Sequence, residues 1–112
     1  MKDIGNRYEI SSLTNDKVKL INSLHHRKYR RQHNLFVAEG FRICREAAEN
    51  GWEIRYLLYD NLNIDTHIIE NLINEVLNLG ADVIGVTSEI LSKISHKELS
   101  LIHISEPTRP LR

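Results

Sequence analysis

The stretch His26-Arg27-Lys28-Tyr29-Arg30-Arg31-Gln32-His33-Asn34-Leu35-Phe36-Val37-Ala38-Glu39-Gly40 runs from a cationic cluster directly into a short strand. Four cationic side chains surround one tyrosine, Leu35-Phe36-Val37-Ala38 forms the apolar run, and Glu39-Gly40 closes it. The pattern predicts a positive surface anchored to a rigid element. Guanidinium and ammonium groups neutralise phosphates, and a tyrosine ring or an Arg plane stacks on an unpaired base. The plainer alternative is a solvated helix end whose tyrosine only covers the core.

Outward from that stretch, helical and strand periodicities alternate. On the N-terminal side, Asn15 is placed to cap a helix and Asp16 suits the positive end of its dipole. Val18, Ile21 and Leu24, flanked by Leu20, form its apolar stripe, with Lys17 and Lys19 off the stripe. This helix is expected to run to about His26, with a further helical turn or two carrying Arg27 to His33. Residues 1–14 read as a lead-in, loosely ordered until Leu13. After Gly40, Phe41, Cys44 and Ala48 repeat at helical spacing until Asn50-Gly51, a left-handed cap.

Ile54 to Tyr59 reads as a second strand. Asp65 then caps a long helix striped by Ile69, Leu72, Ile73 and Val76 and closed by Gly80; its outer face, Glu70, Asn71, Asn74 and Glu75, is acidic or neutral. Val83-Ile84-Gly85-Val86 is a third strand, and Thr87 or Ser88 caps a last helix containing Ile90, Leu91 and Ile94. Strands alternating with helices predict an α/β fold, with a mainly parallel sheet covered by helices on its faces. From Leu101 the chain reads Leu-Ile-His-Ile-Ser-Glu-Pro-Thr-Arg-Pro-Leu-Arg and holds both prolines. That composition resembles adapter read-through, so residues 99–112 are expected to be non-native and those from about 101 onward to stand outside the fold. A natural extended tail is the alternative.

At 112 residues the chain makes one domain, and 41% hydrophobic with 27% charged residues is ordinary for a globular protein. No apolar run approaches the roughly 20 residues of a membrane span, and the N-terminus lacks a signal-peptide core, so a cytoplasmic location is expected. The single cysteine, Cys44, agrees with a reducing compartment. Formal net charge is zero, but residues 17–45 hold eight Lys/Arg against one acid, Glu39, leaving seven bases and fourteen acids elsewhere. The two portions therefore carry about +7 and −7, and a polyanion responds to the local field. His25, His26 and His33 share the basic window and add to it when protonated.

Catalytic chemistry is poorly represented. The five glycines are scattered, so no phosphate-cradling loop exists. His25 and His26 are adjacent and diverge on a helix, and His33 lacks a ligand partner at helical distance, so no metal site is expected. Cys44 lies on an apolar stripe, where a core thiol is the expected role. Glu39 has the look of a general base, yet Glu beside Gly at a helix start more often satisfies the helix N-terminus. Trp52 is expected to close the core; Tyr56 and Tyr59 read as core or interface, and Tyr29 as the stacking candidate. If the helices pack side by side, Lys17, Lys19, Arg27, Lys28, Arg30, Arg31, Arg42 and Arg45 could form one patch.

The order of Asn15-Asp16-Lys17-Val18-Lys19, Arg27-Lys28-Tyr29-Arg30, Leu35-Phe36-Val37-Ala38-Glu39-Gly40, and Arg42 followed by Glu46-Ala47 closely resembles the N-terminal substrate-binding domain of SpoU/TrmH-family RNA 2′-O-ribose methyltransferases. The resemblance spans Ser12 to Ser95. It implies an L30e/L7Ae-type fold, a small three-layer α/β/α sandwich, and recognition of structured ribosomal or transfer RNA by residues 15–98. With Tyr29, Glu39 and Gly40, the eight cations make up the expected RNA-binding set. It also implies a parent enzyme whose separate knotted domain binds S-adenosylmethionine and forms a homodimer. That domain's motifs have no counterpart here, so neither catalysis nor cofactor binding is expected of this chain alone. Two further readings stay open: a free-standing ribosomal-type RNA-binding protein, and a protein-interaction module whose basic face meets an acidic partner.

Overall fold

A computed structural model of the chain describes residues 4–62, 66–94 and 101–105. In chain order the elements are β1 (Arg7–Ile10), α1 (Asp16–Ser23), α2 (Arg27–His33), β2 (Phe36–Glu39), α3 (Phe41–Glu49), β3 (Ile54–Asp60), α4 (Thr66–Asn78), β4 (Asp82–Val86), α5 (Ser88–Ile94) and β5 (Leu101–Ser105).

Parity along the strands builds the layers. Leu58 of β3 and Ile84 and Val86 of β4 enter one core, while Leu57, Tyr59 and Val83 enter the other. The first core is covered by α1 through Val18 and Ile21 and by α5 through Ile90, Leu91 and Ile94. The second is covered by α3 through Cys44, Ala47 and Ala48 and by α4 through Ile69, Leu72, Ile73 and Val76. The outcome is the α/β/α sandwich that the alternating periodicities predict.

Strand order is β1-β4-β3-β5-β2. β4 pairs in parallel with β1 and β3, whereas β5 runs antiparallel between β3 and β2. Four of the five strands therefore point the same way, and β5 alone is reversed.

Several boundaries fall where local chemistry puts them. Asn15 caps α1, its Oδ1 accepting from the Lys17 amide at 2.8 Å. Thr87, rather than Ser88, caps α5, accepting from the Ile90 amide at 3.2 Å. Gly51 at φ 70° follows α3, and Gly80 at φ 95° follows α4. The expected Asp65 cap lies outside the described residues.

Three expectations need correction. Residues 1–14 are not merely a loose lead-in: Arg7–Ile10 forms β1, in register with Val83–Val86. Its sequence hides this because only Ile10 is buried and the strand is held by backbone pairing. Leu101–Ser105 does not stand outside the fold but lies between β3 and β2, with Ile104 fully buried. Phe41 leaves the α3 stripe at 38% exposure, and Ala47 occupies the buried face instead.

Candidate nucleic-acid interface

α2 adds no side chain to either core. A helix of seven residues that buries nothing needs other supports, and two are visible. First, α1 ends at Ser23, and the chain turns through Leu24 and His25. One terminal nitrogen of Arg30 donates to the carbonyls of both, at 2.9 Å each, bracing the corner between the helices. Second, Asn34 takes a left-handed conformation at φ 56°, and the Leu35 amide reaches back to the Arg30 carbonyl at 3.1 Å. Asn tolerates that backbone better than most residues, and the motif satisfies the helix end.

With Arg30 committed to this bracing, the other cations of α2 face solvent. Arg27 and Arg31 have neither hydrogen bond nor ion pair among the described residues. Lys28 Nζ lies 5.7 Å from the Tyr29 ring centre, and Tyr29 meets the His26 ring edge-on at 6.3 Å. Tyr29 is 36% exposed, so part of its ring remains open to a stacking partner. Beside this helix lies a cleft of about 390 Å³, lined by Arg27, Arg30, Arg31, Asn34, Leu35 and Phe36.

The remaining cations of the basic window are dispersed. Lys17 Nζ donates to Tyr8 Oη at 2.7 Å, sits over the Tyr8 and Tyr56 rings at 5.1 and 5.3 Å, and lies 3.9 Å from Asp82. The Tyr8 hydrogen bond outweighs desolvation and raises the ammonium pKa, holding it charged. This lysine thus ties α1 to β1, β3 and β4. Lys19 is exposed on α1. Arg42 and Arg45 lie on α3, on the other side of the sheet, paired one turn along with Glu46 at 3.5 Å and Glu49 at 3.1 Å. Exposed pairs of this kind contribute only about 0.3–0.5 kcal/mol, but they mask the field of α3.

Glu39 ends β2 and is half-buried. Gly40 follows at φ 110°, a backbone that strains any side-chain-bearing residue, and its carbonyl accepts from Cys44 as α3 begins. The eight cations therefore do not share one face. The structure gathers Arg27, Lys28, Tyr29 and Arg31, uses Arg30 to hold them, and leaves Lys17, Lys19, Arg42 and Arg45 on the helices of the two faces.

Sequence reasoning missed Asn34, Leu35 and Phe36 as lining residues. The signal was present in Asn34, a turn former between a basic helix and an apolar strand, but the cleft needs the third dimension. Among the described residues no three His, Cys, Asp or Glu gather as metal ligands, and no helix is long and apolar enough to cross a membrane.

Comparison with known proteins matches this geometry to a family. The model described as MRM3-like substrate binding domain matches residues 15–100. An rRNA methyltransferase from Sinorhizobium meliloti is 28% identical with a TM-score of 0.81, over 95% of this chain and 39% of its own. A structure described as an RNA 2′-O ribose methyltransferase is 24% identical with a TM-score of 0.70, over 93% and 40%. The AdoMet-bound SpoU methyltransferase AviRb from Streptomyces viridochromogenes is 21% identical with a TM-score of 0.66, over 88% and 40%, and shares the fold. No curated protein matches. The chain spans about two fifths of the length of these solved structures. With most of its residues inside the family match, the chain belongs to the MRM3-like substrate binding domain family and corresponds to one α/β portion of SpoU/TrmH methyltransferases.

Proposed function

We propose that this chain is the RNA-recognition domain of an S-adenosylmethionine-dependent RNA 2′-O-ribose methyltransferase, binding ribosomal or transfer RNA without transferring a methyl group itself. The observation that carries the reading is α2. It buries no side chain, and apart from the bracing Arg30 its cations Arg27, Lys28 and Arg31 have no carboxylate partner among the described residues. Cations held away from local acids by a braced helix are suited to phosphate, and Tyr29 beside them offers a stacking surface.

We assign methyl transfer and S-adenosylmethionine binding to a separate catalytic domain of the parent, in keeping with the two fifths of its solved neighbours that this chain spans; that domain also forms the homodimer, and the parent is cytoplasmic. We place the RNA-recognition residues within 15–98, on a sheet that β1 and β5 complete. Residues 99–112 have a composition that reads as foreign, yet they include Leu101–Ser105, which lies in the sheet between β3 and β2.

Binding to a structured RNA should weaken steeply with salt. Changing Arg27 and Arg31 together to Ala should flatten the slope of log affinity against log salt by about one unit per lost phosphate contact. Fluorescence anisotropy between 50 and 300 mM salt, on the order of the range where such slopes are read, measures it. An unchanged slope, or tighter binding to an acidic polypeptide than to RNA, would reject the reading.

A further inference from the structure

The cleft beside α2 has a wall chemistry that separates two forms of RNA. Its rim carries Arg27 and Arg31, one turn apart and about 6 Å along the helix. Its floor is apolar: Leu35 is 5% exposed and Phe36 half-buried, the Phe36 ring leaning on Trp52 at 6.1 Å and 58°. Phe36 opens β2, the edge strand among the described residues. Arg30, on the inner wall, is occupied by the carbonyls of Leu24 and His25. Among the described residues no acidic side chain lines the space.

An occupant must therefore offer negative charge to the rim and a flat apolar surface to the floor. A paired, stacked base hides its faces, and a duplex presents its backbone, its 2′-hydroxyls and the edges of its bases but no ring face. A base splayed out of the stack presents both a ring face and its own phosphates. A volume of about 390 Å³ lies at the lower end of sites that bury a small molecule, in keeping with one nucleotide and not a helix. Arg forks bind phosphate oxygens in pairs, which fixes the nucleotide's orientation.

We propose that this cleft takes a single unpaired nucleotide, its base against Phe36 and Leu35 and its phosphates between Arg27 and Arg31. The inference rests on the reading of α2 as an RNA-binding helix and adds the form of RNA it selects.

The test uses the full chain and three hairpins identical except at one position: fully paired, carrying a one-nucleotide 2-aminopurine bulge, or carrying an abasic bulge. The base-bearing bulge should bind about tenfold more tightly than the other two, with a change in 2-aminopurine emission on binding. Phe36→Leu keeps an apolar side chain against Trp52 but removes the ring. It should cost about fivefold for the bulged hairpin and leave the paired one unchanged. The emission and the abasic comparison need no variant, so they decide the matter even if Phe36→Leu loosens the fold. Equal affinity for all three hairpins, with unchanged emission, overturns the nucleotide cleft while leaving RNA binding by α2 intact. Failure to bind any hairpin overturns both.

Discussion

The Cys44 thiol is completely enclosed on the buried face of α3, among Ala47, Ala48 and the second core. Burial pushes it up from an ordinary 9.0 to about 12, because a thiolate there would lose its hydration. The sign of the consequence is fixed by linkage: above pH 9 the unfolded chain releases this proton while the folded chain keeps it. The contribution to stability is therefore complete below about pH 9 and declines as pH rises towards about 12. Urea unfolding at pH 8 and pH 10.5, on the order of either side of that threshold, should show Cys44→Ala losing less relative to the wild type at the higher pH. A thiol reagent should modify Cys44 only after unfolding. The role of this residue was legible from its stripe. That of Lys17 was not, since charge counted along a sequence says nothing of Tyr8, Tyr56 and Asp82, which reach it from three different strands.

Between α1 and α2 the chain turns a corner, and two of its carbonyls face Arg30. Arg30 donates to both, so its position inside a basic cluster conceals a structural role. Arg30→Ala should cost about 1.5–3 kcal/mol of stability, the range for hydrogen bonds to a charged donor, with the salt slope of RNA binding nearly unchanged. A thermal melt read beside the salt titration separates the two effects; a slope that falls by a full unit at unchanged stability would return Arg30 to the phosphate contacts. At this scale the sequence was informative wherever periodicity and caps agreed: Asn15, Gly51, Gly80 and the stripes of α1, α4 and α5 all appear. It failed for β1, whose Arg7-Tyr8-Glu9-Ile10 carries one buried residue and so almost no alternation to read. The basic helix was legible as a unit, but the cleft was not, because Phe36 looks the same in sequence whether a strand lies in the middle of a sheet or at its edge.

Across the molecule, the sheet's connectivity creates a dependence that no local segment reveals. Among the described residues β2 reaches the rest of the sheet through β5, and α2 is joined to β2 through Asn34 and Leu35. A chain ended at Ser100 should therefore lose stability, and the amides of β2 should exchange faster than those of β1 and β4. Its affinity for RNA should fall although every cation of α2 is present. Circular dichroism melts, hydrogen exchange and the same anisotropy assay measure these; an unaltered exchange pattern in β2 would show that the strand is held some other way. The α/β class was readable at this scale from the order of elements. The reversed fifth strand was not, because a segment with foreign composition gives no reason to place it in the middle of a sheet.

The fifth strand is a keystone set into a socket built from backbone amides and carbonyls, with Ile104 as its one described anchor in the core. Of its side chains only Ile104 is described as enclosed, so the mooring of the basic helix hangs on one apolar position far along the chain, and Ile104→Asp should free β2 and α2 together.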